Sequence, residues 1–404
     1  MNTKSVIALA LSIFLFGACK VNYTSKDYIK AVLKNLDNIE SATYYLKGEN
    51  WAPGDTTASD INYSYVKEYD NPSDTTIGSK FVHLNQNNPA QLEFCYDGHM
   101  RAVVYNDEKM VVLDSFTVRP LPFRPLTPPF FNYAKNILRY ALETTDSISL
   151  DFADLKDSIY VKLTIHEDSQ IEFFGKAYHM PPSPYTYGNN TSIYELWINK
   201  SDNLPYKVRR EMSHNISVTI CKDYELNKMD IRDFKAADYF PAGYKIQSYR
   251  MGGGRSKVHE LLGKTAPEWT LPSAGDMQIA LSDLKSKVLL IQFTSVSCGP
   301  CKASIPFLKK LGSEYKKADF DFVAIESTSR NLDVLKNYMN RNKFDYKYLL
   351  GTKEVLKSYS ITAFPVFFIL NENREVKKVV VGYGEGTTDM EIRKVINDMV
   401  IVKI

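Results

Sequence analysis

The sequence predicts an α+β chain in two parts: a β-rich amino-terminal domain, and a carboxyl-terminal α/β domain in which strands and helices alternate. Three observations predict it. Beyond residue 258, apolar runs of strand length alternate with segments of helical spacing, the pattern of a layered α/β fold. Before residue 249, tyrosine-rich segments with turn signals between them read as half-buried antiparallel strands. Between the two lies Met251-Gly252-Gly253-Gly254, and consecutive glycines are not held cheaply in a helix or strand. The expected division is therefore 25–249, a linker over 250–257, and 258–404.

A chain of 404 residues is long enough for two cores. With 50 basic and 47 acidic residues and a net charge of +3, it lacks the electrostatic footprint of a nucleic-acid binder. Its 44% hydrophobic and 13% aromatic content excludes a disordered or collagen-like chain.

The first residues set the expected compartment. Met1 to Lys4 carries one basic side chain, and Val6 to Phe16 is an eleven-residue run that is apolar except for Ser12. That is too short to span a bilayer, which takes about 20 residues, but it suits the core of a signal peptide. Gly17-Ala18-Cys19 closes the run and resembles a bacterial lipobox, with Phe16 where leucine is usual. The resemblance implies a signal peptide over residues 1–19, lipidation of Cys19, and a mature chain anchored in the cell envelope, periplasm-facing or surface-exposed. The alternative is an ordinary secretory signal in which Cys19 is incidental.

The β-rich part opens on a helical pattern, Tyr28-Ile29, Val32-Leu33 and Leu36. Asp97-Gly98 marks a hairpin between "QLEFCY" and "MRAVVYN", and Ser201-Asp202-Asn203 does the same between "YELWINK" and "LPYKVRREM". Pro120 to Phe131, with five prolines, reads as an extended cover segment, a hydrophobic contact loop or a rigid surface connection. Cys95 and Cys221 lie in apolar strand-like runs and either pair in an oxidising compartment or stay as buried thiols. Six scattered histidines, none within four residues of another, give no metal site. The segments "FCYDGHMRAVVYNDEKMVVLD", "YELWINKSDNLPYKVRRE" and "DYFPAGYKI" resemble the outer-membrane lipoprotein carrier fold. That resemblance implies an incomplete antiparallel barrel with helices over its open side.

The chemistry is concentrated later. Val288-Leu289-Leu290-Ile291-Gln292-Phe293 reads as a buried strand, and it is followed by Cys298-Gly299-Pro300-Cys301. Ile305, Leu308, Leu311 and Tyr315 then recur at helical spacing. Cys298 is thus expected at a helix N-terminus, where the helix dipole and free N–H groups lower a thiol pKa from about 8.5 to roughly 3.5–7.5. Cys301, one helical turn on, can resolve a mixed disulfide. A half zinc site would need further ligands, and no second Cys-x-x-Cys appears; a purely structural cross-link is the other alternative. Strands are expected at Phe320 to Ile325, Tyr346 to Leu350, Pro365 to Leu370 and Val376 to Val381. Helices are expected at Leu332 to Asn340, Glu354 to Ser358 and Thr388 to Met399.

On "GKTAPEWTLPSAGDMQIALSDLKSKVLLIQFTSVSCGPCKASIPFL" and "SYSITAFPVFFILNENREVKKVVVGY", residues 258–404 resemble the thioredoxin superfamily. The likeness is strongest to membrane-anchored TlpA/ResA-like thiol-disulfide oxidoreductases. The resemblance implies a thioredoxin fold, reduction of protein disulfides with Cys298 attacking and Cys301 resolving, and a cis Pro365. Pro365 and the backbone at Phe364 would present the substrate chain, supported by Gly299 and Pro300. It implies disulfide-containing envelope proteins and a membrane electron donor as partners, and no cofactor. Three departures stand out: Gln292 replaces a buried acid, Ser304 replaces a glutamate, and Thr294 and Ser297 replace aromatic residues. Glu326, at the end of the next strand, either approaches the redox pair or is a solvated strand-end charge. A peroxiredoxin-like peroxidase is a second reading, but it would want a proline where Ile291 stands. A lipid- or peptide-binding carrier with a thioredoxin-like docking module is a third.

Overall fold

The computed structural model describes residues 25–118, 120–121, 126–180, 192–230, 234–249 and 257–401. The expected signal peptide with Cys19, part of the proline-rich stretch and all of the expected linker except Lys257 lie outside the described residues.

Helix α1 (Ser25–Asp37) opens the described chain and buries Ile29, Val32, Leu33 and Leu36, the face its spacing predicts. Strands β1 (Ser41–Trp51), β2 (Asp60–Asp70), β3 (Ser79–Asn85), β4 (Asn88–Tyr96), β5 (Arg101–Tyr105) and β6 (Met110–Asp114) follow as an antiparallel meander. After helix α2 (Phe130–Glu143) come β7 (Ile148–Asp154) and β8 (Ser158–Ile165), then a separate hairpin of β9 (Ile171–Phe173) and β10 (Ala177–His179). Strands β11 (Ser192–Asn199), β12 (Leu204–Glu211) and β13 (Ile216–Leu226) complete a second meander, and β13 joins the first by pairing with β1. Strand β14 (Lys245–Ser248) adds to β6 in parallel, so the sheet runs β14-β6-β5-β4-β3-β2-β1-β13-β12-β11-β8-β7. Its outer strands, β14 and β7, do not pair with each other among the described residues. The result is an open sheet with α1 and α2 over it, as an incomplete barrel requires.

Both predicted hairpins form. Asp97 donates its N–H to Met100 across Gly98, whose φ of +97° is the left-handed region that glycine tolerates. Asn203, with φ +54°, turns β11 into β12.

Helix α2 corrects the sequence reading, because Phe130 and Phe131 begin a helix rather than continue an extended cover. Pro129 is held extended at the N-cap, and Ala134, Ile137, Leu138 and Ala141 recur at helical spacing and are buried. The first N–H groups of a helix need acceptors. Buried Glu68 of β2 accepts from the N–H of Phe131 (3.2 Å) and Asn132 (2.7 Å), while the Phe130 N–H donates to the Tyr44 hydroxyl (2.8 Å). Tyr44 in turn donates to Glu68 at 2.8 Å. Burial pushes the Glu68 carboxyl up to about 7, against these donors, which favour its charged form. Cys95 and Cys221 are both buried free thiols, and burial raises both, Cys95 to about 12.

The carboxyl-terminal part opens with the small hairpin of β15 (Thr270–Pro272) and β16 (Gln278–Ala280). It continues through β17 (Val288–Thr294), α3 (Gly299–Ala303), α4 (Ile305–Glu314), β18 (Phe320–Glu326), α5 (Leu332–Asn342), β19 (Lys347–Leu350) and α6 (Lys353–Ser358). It ends with β20 (Val366–Leu370), β21 (Val376–Val381) and α7 (Thr387–Ile401). The five-stranded sheet runs β19-β18-β17-β20-β21, with β17, β18 and β19 parallel and β20 and β21 antiparallel. Every residue of β17 is buried, the signature of a central strand covered on both faces. Val288 and Leu290 pack with Leu308 and Leu311 of α4 and with Ile392 and Ile396 of α7. Their neighbours Leu289, Ile291 and Phe293 face the other side, toward Trp269, Val355 and Tyr359.

Candidate active site

The carboxyl end of β17 delivers the chain through Ser295, Val296 and Ser297 to Cys298, the N-cap of α3. Cys298 and Cys301 form a disulfide with their Cα atoms 5.2 Å apart. The Cys298 sulfur accepts the N–H of Cys301 at 3.2 Å, so a backbone donor already faces the atom that would carry a thiolate charge. Cys298 is half-buried and Cys301 buried, which leaves Cys298 the more accessible sulfur. Pro300 stands in the first helical turn, where its missing N–H costs nothing.

Strand β20 pairs antiparallel with β17, Val366 opposite Phe293, which brings the Phe364–Pro365 peptide to the same end of the sheet as the redox loop. That peptide is cis. The buried Pro365 carbonyl accepts the Gly382 N–H at 2.8 Å, and the Phe364 side chain is half-buried.

Behind Cys301 two of the three family departures, Gln292 and Ser304, meet. The Gln292 amide donates to the Ser304 hydroxyl at 3.0 Å, and Ser304 donates to the Cys301 carbonyl at 2.7 Å. Both side chains are buried, so a neutral hydrogen-bonded pair fills the inner wall where relatives are expected to carry acids.

Glu326 is neither solvated nor free to approach a sulfur. It is fully buried. One oxygen accepts from the Thr328 N–H (2.9 Å), the Ser329 N–H (2.9 Å) and the Thr328 hydroxyl (2.7 Å). The other accepts from the Val296 N–H (2.9 Å) and the Tyr348 hydroxyl (3.3 Å). Burial raises its carboxyl above the usual range, opposed by these donors. Its contact with Val296, two residues ahead of Cys298, makes it a brace of the redox loop.

Four residues that the sequence reading did not single out stand on the outer side of α3. The Lys302 ammonium donates to the His214 carbonyl at 3.0 Å, and Asp55 pairs with Arg341. Burial, then the Arg341 charge, lowers Lys302 to about 8, with Asp55 opposing. Burial, then the charges of Arg210 and Lys302, lowers His214 to about 4, with Glu172 opposing, so the imidazole is neutral near pH 7. Only Lys302, adjacent to the redox motif, carried any signal in the sequence. Among the described residues no cluster of metal-ligating side chains occurs.

Residues 261–396 match the Redoxin family model. The thiol-disulfide oxidoreductase ResA of Bacillus subtilis is 29% identical over 141 residues, covering 35% of this chain and 76% of the relative. ResA of Geobacillus kaustophilus is 27% identical over 127 residues, covering 31% and 72%. Among solved structures, the thioredoxin domain of a thiol-disulfide oxidoreductase from Bacteroides vulgatus covers 34% of this chain and 98% of its own, at 23% identity and a TM-score of 0.30. Residues 261–396 of this chain are thus a Redoxin domain, and the carboxyl-terminal region that holds them is a thiol-disulfide oxidoreductase similar to ResA.

Proposed function

We propose that the protein is a lipid-anchored, envelope-facing oxidoreductase that reduces disulfides in envelope proteins. The observation that carries this reading is the Cys298–Cys301 disulfide at the start of α3, with the Cys301 N–H on the Cys298 sulfur. In the reduced enzyme the Cys298 thiolate attacks one sulfur of a substrate disulfide. A Cys298–substrate disulfide forms and the other substrate sulfur leaves as a thiolate, which takes up a proton. Cys301, on losing its proton, then attacks the Cys298 sulfur, releases the second substrate thiol, and leaves the disulfide seen in this structure. Two electrons have passed to the substrate, and a membrane electron donor must restore the dithiol. Pro365 and the Phe364 backbone present the substrate chain, and the Gly299-Pro300 pair, shared with reducing thioredoxins, supports reduction as the direction.

Residues 25–249 and 258–404 act as two domains joined through 250–257, and the anchor is a lipid on Cys19. Among the described residues no helix is long and apolar enough to cross a membrane. The pre-reduced protein should convert a disulfide-bridged peptide to its dithiol in a single turnover, and Cys298→Ser should not. A Cys298→Ser protein that still reduces the peptide overturns the reading. For the anchor, Cys19→Ala should abolish metabolic incorporation of a labelled fatty acid, and unchanged incorporation would rule it out.

A further inference from the structure

The redox helix is covered on one side by the amino-terminal domain. Two turns at one end of the large sheet reach it, the β1–β2 turn with Ala52 to Asp55 and the β12–β13 turn with Ser213 to Asn215. They share that end because Trp51, the last residue of β1, pairs with Ile216, the first of β13.

The β1–β2 turn is the anchor of this contact. Ala52 is fully buried within the carboxyl-terminal core that holds Phe307 and Tyr338. The Asp55 side chain has no exposed surface and pairs with Arg341 of α5 across the interface. Gly54, at φ +85°, lies against the same arginine: a β-carbon there would stand 3.1 Å from its Cδ. The β12–β13 turn lies on the redox motif itself. The His214 ring carbons stand 3.9 Å from where a β-carbon of Gly299 would be, and the His214 carbonyl accepts from Lys302. That turn is stiffened from behind, since Met212 donates to the Asn215 carbonyl at 2.9 Å, and Arg210 reaches Asn215 while pairing with Glu172.

We propose that the β12–β13 turn is one wall of the disulfide-exchange site, held there by the Asp55–Arg341 contact, and that His214 is a specificity-determining residue. Gly299 follows the attacking Cys298 directly, so a turn bound to Lys302 through its carbonyl, with its imidazole beside the bare face of Gly299, closes one side of the approach to that sulfur. A small or extended disulfide-bearing peptide passes such a wall, whereas the surface of a folded protein meets it. The proposal rests on Cys298 as the attacking thiol.

The test is a ratio measured on the full chain: the single-turnover rate with insulin, whose disulfides sit in a folded protein, over the rate with a short disulfide-bridged peptide. Asp55→Ala and Arg341→Ala break one contact from opposite domains, so either can serve where the other fails to fold. Each should raise the ratio by about tenfold while leaving the peptide rate unchanged, and the double variant should go no further than either alone. His214→Gly should raise the ratio as well. A ratio unchanged in folded variants that still reduce the peptide overturns the wall and leaves the Cys298 assignment standing. A wild-type protein that does not reduce the peptide at all overturns that assignment, and the wall with it.

Discussion

Glu68 in the amino-terminal sheet and Glu326 in the redox domain are both buried carboxylates on strands, and both accept backbone N–H groups from the segment they hold. They differ in what that segment does. Glu68 closes the first turn of α2, a helix that roofs the large sheet. Glu326 ties Val296, on the way into Cys298, to Thr328 and Ser329 beyond its own strand. One carboxyl completes a scaffold, and the other fixes the path into Cys298. With five donors around it, Glu326 is a positioning residue, and the inner wall nearest Cys301 is left to the neutral Gln292–Ser304 pair.

The comparison breaks most visibly at Glu326. Replacing it with alanine leaves buried donors without an acceptor, and Glu326→Ala should lose on the order of 4 kcal/mol in a urea melt of the carboxyl-terminal transition. Peptide reduction should slow with it. A melt indistinguishable from wild type would mean the loop does not depend on this brace.

Glu68 offers a smaller effect with a sign. Its folded carboxyl, near 7, holds a proton more tightly than the ordinary value of 4.5, so its contribution to stability is fully present below pH 4.5 and is lost as pH rises toward 7. The loss amounts to about 3 kcal/mol. Glu68→Gln should flatten that slope in stability between pH 5 and 7 without changing peptide reduction. A slope as steep as wild type would show that another group titrates there.

The smallest effect is expected at Gln292, where the structure allows a near-isosteric test of the missing acid. Gln292→Glu should change the peptide-reduction rate by a few-fold and add a titration to its pH profile. That titration should lie above the usual glutamate value of about 4.3, because burial disfavours the charged form. A profile superimposable on wild type would show that this position takes no part in proton transfer.

These residues also mark what the sequence could tell. The redox pair, the order of strands around it, the cis Pro365 and the α1 face were legible because each is local: a spacing, a period or a proline. Helix α2 was obscured by the five prolines before and at its start, although its Ala134, Ile137, Leu138 and Ala141 spacing was available. Glu326 read as a candidate solvated charge because strand-end carboxylates usually are, and the donors that bury it come from three separate segments. Asp55 and His214 lie 243 and 84 residues before Cys298, and nothing local ties them to it. Their role depends on which end of the large sheet meets the redox helix, a property of tertiary packing alone.

The central claim, that Cys298 attacks and Cys301 resolves, is tested most directly by trapping. Cys301→Ala and Cys298→Ala, each incubated with the disulfide-bridged peptide and measured by intact mass, should behave differently. Cys301→Ala should retain the peptide as a stable mixed disulfide on Cys298, and Cys298→Ala should remain unmodified. Equal adducts on both variants, or an adduct on Cys298→Ala alone, would contradict the account.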